Sequence, residues 1–104
     1  MSDIHRFSNW ISDAQREWQP ACVDLAVTAF IDAIVCMIAG SRDAGTLAAM
    51  RAVADIGGPV PIVCAPAGLV SPSAELIDRT AAHALDFDDF LEGANANASA
   101  VLVP

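Results

Sequence analysis

ACVDLAVTAFIDAIVCMIA, residues 21–39, decides how this 104-residue chain is read. Only Asp24, Thr28 and Asp32 interrupt its apolar run, and they recur every four residues. At the helical period that spacing puts all three on one narrow stripe and leaves the remaining circumference apolar. A membrane span is the obvious rival reading. Against it, each aspartate would cost about 2.5–3.5 kcal/mol at mid-bilayer. The stretch therefore predicts a helix that belongs inside a large core. Pro20 is placed to open it, and Gly40 to end it as the residue just past the last turn.

Composition supports that reading. Hydrophobic residues make up 55% of the chain and charged ones 17%, more apolar and less charged than an average globular domain, so disorder is excluded. The length allows one domain at most. A domain of this size hides only about two-thirds of the surface its unfolded chain exposes. Part of the apolar surface is therefore expected to meet a partner chain or further sequence. Thirteen acidic residues face five basic ones, all arginine, for a net charge of −8. That balance opposes binding to a nucleic acid backbone or to an anionic membrane surface.

The first fifteen residues include Asp3, His5, Arg6, Asp13 and Gln15 and no apolar run, so no signal peptide is read there. Cys22 and Cys36 lie about 21 Å apart along one helix and cannot pair. With Cys64 they make an odd count, and all three read as reduced thiols of a cytoplasmic protein. There is no CxxC and no His/Cys cluster of zinc spacing.

Outward from the central stretch, Phe7, Trp10, Ile11 and Trp18 predict an amphipathic helix over 4–18. Asp43 caps a helix over 44–56, with Leu47, Met50, Val53 and Ala54 inward, and Gly57-Gly58 stops it. GPVPIVCAPAG predicts a short strand around Val60 to Cys64 and a turn at Pro66 to Gly68. Ser71 or Ser73 caps a helix over 74–87, residues 88–98 form a loop, and Ser99 caps a fifth helix. That helix runs into AVLVP without a stop signal, which reads as the broken end of a longer design. The expected fold class is mainly α, packed helices with one short strand or hairpin near 60–70.

Chemistry concentrates in RTAAHALDFDD, residues 79–89. On a helix, Arg79, His83 and Asp86 fall within about 60° of one another. Asp88 and Asp89 follow at the C-terminal end, where each exposed carboxylate loses roughly 0.3–1 kcal/mol against the helix dipole. A sequence that carries this cost invites a functional reading. The plainer readings are solvated carboxylates and a packed, hydrogen-bonded histidine. A divalent cation held by His83, Asp86, Asp88 and Asp89 is a further one.

The runs IDAIVCMIAGSRD (31–43), GGPVPIV (57–63) and AAHALDFDD (81–89) resemble the MmgE/PrpD family, which contains 2-methylcitrate dehydratase, cis-aconitate decarboxylase and iminodisuccinate epimerase. The likeness covers roughly residues 22–104. HALDFDD is its most specific part. Asp32 followed by Ala39-Gly40-Ser41, and the double glycine, come in the right order. The resemblance implies a cofactor-independent lyase or isomerase acting on small di- or tricarboxylates. It implies a dimer with its site between a large helical domain and a smaller α+β lid. Members are several times longer, so residues 1–104 correspond to the N-terminal portion of the helical domain only, without the lid.

The same resemblance assigns roles residue by residue. Asp86 matches the active-site aspartate and His83 the motif histidine, the two candidate catalytic residues. Asp89 and Asn97 are candidate substrate-binding residues, Asp88 and Asp89 form the acidic pair, and Arg79 joins the substrate-binding set on charge, as the cation beside the acidic cluster. Phe90 stands where the family carries threonine and Asn97 where it carries histidine. Asparagine hydrogen-bonds but cannot shuttle a proton near neutral pH. Proton removal beside a carboxylate needs a positioned base and cations for the developing charge. With no lysine and three carboxylates beside the site, the chain is expected to be inactive alone. It is expected to work as a homodimer or with the family's remaining domains. Two alternatives stand beside this one: a degenerate, truncated relative serving as a helical interaction or oligomerisation module, and a divalent-metal-binding module. No cofactor is expected.

Overall fold

A computed structural model describes residues 2–13, 17–63, 65–93 and 96–104. In chain order the elements are α1 (Asp3–Ile11), α2 (Pro20–Gly40), α3 (Ala44–Ala52), β1 (Gly57–Ile62), β2 (Ala65–Leu69), α4 (Ser71–His83) and α5 (Ala98–Leu102).

α4 is the centre of the packing. Its C-terminal half, through Ala81 and Ala82, meets Ala33 and Met37 of α2 and Ala100 of α5. Its N-terminal half, through Ala74 and Ile77 on the same face, meets Ile62 of β1 and Leu69 of β2, with Met50 of α3 and its cap residue Val53 against them. Small side chains let α2 and α4 approach closely, and Gly40 takes this furthest. A β-carbon at position 40 would run into the Ala81 carbonyl oxygen. Gly40 is thus the last residue of α2 and a contact point, not a cap beyond its end. The cap is Ser41, in ordinary right-handed geometry.

The expectation of a mainly α fold, packed helices with one short strand or hairpin near 60–70 as in the MmgE/PrpD helical domain, is corrected. Helices predominate, but β1 and β2 form an antiparallel two-stranded sheet that builds half of the core. An isolated bridge between Leu91 and Ala96 adds further β pairing. Pro66 to Gly68, expected as a turn, belong to β2. Both strands are edges, which is why Pro59, Pro61 and Pro66 are tolerated within them. Gly58 crosses the backbone of Leu69 too closely for any side chain. Cys64, expected at the end of the strand, lies outside the described residues.

Helix ends differ from expectation in instructive ways. α1 stops at Ile11 rather than reaching 18, and positions 14–16 lie outside the described residues. Ser12 and Asp13 favour non-helical backbone, and Trp18 meets Trp10 edge-on at 5.6 Å instead of extending the helical stripe. Asp43 caps α3 as expected, its carboxylate accepting from the Gly45 N–H at 2.7 Å. That helix ends at Ala52, and its buried residue is Thr46, while Leu47 and Ala54 are exposed. α4 begins at Ser71 with Pro72 in its first turn and Val70 as the N-cap, so neither serine caps it.

α2 keeps its sequence-read span, but only its C-terminal half is covered. Ala33, Cys36, Met37 and Gly40 are buried, and no residue before Ala29 is even partly so. By length and composition α2 could cross a bilayer. Cys22 is an exposed free thiol and Cys36 a buried one.

Candidate functional site

The site forms where α4 ends. The sequence predicts this helix through residue 87, but α4 stops at His83 and Ala84 caps it. Asp86 then adopts φ 56°, the single positive φ among the described non-glycine residues. Aspartate tolerates this left-handed region better than most residues, at some cost. The reversal, closed by the Asp86 N–H donating to the His83 carbonyl at 3.2 Å, turns the chain back on α4.

Asp88 is the beneficiary of that turn. Its side chain is 1% exposed, and both carboxylate oxygens lie 3.1 Å from His83 Nδ1. The imidazole itself stays 56% exposed. A buried carboxylate therefore fixes the ring through one nitrogen and leaves the other free to act, the orientation logic of a histidine base. Asp86 remains exposed on the same tip. One donor atom each from His83, Asp86 and Asp88 lies within 4.8 Å of the others.

Asp89 points elsewhere. Its Oδ1 accepts from the Ser99 N–H at 3.0 Å and from the Ser99 hydroxyl. This ties the loop to the start of α5, where backbone donors favour an anion. Ser99, expected as the cap of that helix, sits inside it, and Asn97 holds the cap position without a side-chain bond. Asp89, expected to bind substrate, has its carboxylate engaged in this clamp.

Arg79 and His83 line one side of an open groove of about 330 Å³, with Ala96, Asn97, Ala100 and Val101 around them. The structure thus brings Arg79, His83 and Asn97 together, while Asp86 joins His83 from the helix tip rather than from the α4 face. The Arg79 guanidinium pairs with Glu75 one turn back, and its Nε is buried without a hydrogen-bond partner. No arginine pairs with Asp86, Asp88 or Asp89 among the described residues. Phe90 is 60% exposed.

Two buried groups add to the electrostatics. Burial, with Asp32, Asp88 and Asp89 nearby, pushes the Cys36 thiol up, so it stays protonated. Sequence reasoning missed Asp78. It is buried on α4 and accepts from the Val63 N–H, with oxygens at 3.1 and 3.3 Å, pinning the hairpin to the helix. Burial raises its carboxyl above the ordinary value, opposed by that hydrogen bond. The available signal was positional: Asp78 falls on the same side of the helix as Ala74, Ala81 and Ala82.

Comparison with protein-family models, curated proteins and solved structures returns no match for this chain.

Proposed function

We propose that this chain forms one wall of the active site of a cofactor-independent lyase or isomerase that abstracts a proton beside a carboxylate of a small di- or tricarboxylate. The His83–Asp88 pair carries the reading. Asp88 holds the Nδ1 edge of the ring, so Nε2 is the position to accept the carbon-bound proton, with charge developing on the adjacent carboxylate. Asp86, exposed beside His83, accepts a hydrogen bond from the substrate hydroxyl. Asn97 donates its amide to a substrate carboxylate across the groove, and Arg79 supplies the groove's cation. The likeness of HALDFDD to the MmgE/PrpD motif gives the substrate class.

Arg79, paired with Glu75, supports only weak, millimolar binding of a polyanion beside three aspartates, and turnover requires a neighbour that brings more positive charge. We place the reaction in the cytoplasm, where Cys22 and Cys36 remain thiols. The test is an NMR titration of the chain with citrate and with 2-methylcitrate. Ring signals of His83 and the side chain of Arg79 should shift together, and His83→Gln should abolish the response. Silence of both residues at millimolar ligand would overturn the proposal.

A second reading, a divalent cation site, is favoured by the convergence of His83, Asp86 and Asp88 within 4.8 Å. Manganese would then broaden those three residues at stoichiometric concentration, and Asp86→Asn would abolish the effect. Broadening spread evenly over all carboxylates would dismiss it.

A further inference from the structure

α2 presents a second surface, independent of the carboxylate site. At 100° per residue, Phe30, Val23, Val27, Ile38, Ile31 and Val35 fall on one continuous strip opposite or beside the buried face. Each is between 46% and 57% exposed. At its N-terminal half the strip deepens into an apolar groove of about 490 Å³ between Trp18 and the helix, lined also by Cys22 and Ala26. With Trp18 the strip offers on the order of 600–700 Å² of apolar surface. That exceeds the patch of about 300–600 Å² typical of a monomer and approaches the roughly 800 Å² per partner of a stable interface.

Charge says what kind of partner fits. Asp24 and Asp32 are exposed along one edge of the strip, eight residues and about 12 Å apart. Neither forms an ion pair among the described residues, and α2 carries no basic residue. A second copy would bring aspartates to an interface with no cation on either helix, between chains that each carry −8. We propose that α2 docks a partner polypeptide through an amphipathic helix whose apolar stripe is flanked by arginine or lysine, laid along the strip with its cations on Asp24 and Asp32.

Three synthetic 21-residue peptides test this: an amphipathic leucine/alanine helix with flanking arginines, the same helix with glutamates for the arginines, and the arginine peptide scrambled to destroy the stripe. Binding to the full chain is read by calorimetry and tryptophan fluorescence. The arginine helix should bind at least about tenfold tighter than either control. Val27→Asp and Phe30→Asp should each weaken it by about tenfold or more. Asp24→Asn and Asp32→Asn, at exposed positions, should each weaken it by about two- to fivefold and reduce its salt dependence. Equal binding of the scrambled or glutamate peptide overturns the proposal. So does a concentration-dependent dimer, seen by sedimentation, that Phe30→Asp dissolves. Partition of the chain into phosphatidylcholine vesicles in preference to the arginine peptide overturns it in favour of a lipid surface.

Discussion

Asp86 shows how one backbone angle assembles the site. Its φ of 56° reverses the chain after α4 and lets Asp88 reach His83. Glycine adopts that conformation freely, whereas a β-branched residue is strongly disfavoured there. Asp86→Gly should therefore raise stability by about 0.5–1 kcal/mol in urea unfolding, and Asp86→Val should lower it by at least about 1–2 kcal/mol. A gain from glycine paired with a loss of carboxylate binding would mark a residue kept at a stability cost. Asp78 makes the complementary case. Its carboxyl is raised above the ordinary 3.8, so between 3.8 and the raised value the folded chain holds a proton that the unfolded chain has released. Its contribution to stability is thus gained as pH falls through that window and lost as pH rises through the folded value. Because acidification also relieves the net charge of −8, the effect is read as a difference. Asp78→Asn should be the flatter of the two in stability against pH, while still accepting from the Val63 N–H.

Among the elements, α2 and α4 depend on a contact that leaves no room for a methyl group. Gly40→Ala should cost about 2–3 kcal/mol by forcing the Ala81 carbonyl away, whereas Gly57→Ala, which meets nothing within 4 Å, should be neutral or slightly stabilising. A thermal scan of the two variants separates them. The span of α2 was legible because Pro20 and the long apolar run act locally, and the Asp43 cap because Asx capping needs only its own turn. The end of α4 was not legible. Ala84 and Leu85 continue the helical period and no glycine interrupts them, so local propensity alone runs the helix onward. Bonds made by the segment after the helix hold the reversal instead: Asp88 back on His83 and Asp89 on Ser99. For the same reason the expected stripe of Arg79, His83 and Asp86 became a groove shared by Arg79, His83 and Asn97, since Asn97 is delivered by a segment whose placement no helical wheel contains. The second strand was hidden by its own composition, because Ala65, Pro66 and Gly68 read as turn residues until a two-edged hairpin gives them a place.

At the level of the molecule, the core is thin and asymmetric: two small clusters at the two ends of one face of α4, with a long helix covered along only half its length. Apolar dye should accordingly bind the native chain. Val27→Lys with Ile31→Lys should abolish anilinonaphthalene fluorescence while leaving the urea midpoint unchanged, because both side chains are more than half exposed. A shifted midpoint would mean that the strip is covered within the chain itself. The buried Cys36 makes the covered half of α2 measurable in another way. Burial first, and then the aspartates around it, hold its thiol protonated, whereas Cys22 is open to solvent on the same helix. Iodoacetamide should alkylate Cys22 within minutes and reach Cys36 only as fast as α2 peels away from α4. The pair therefore gives a mass-spectrometric clock for that opening, with its own reference on the same peptide backbone.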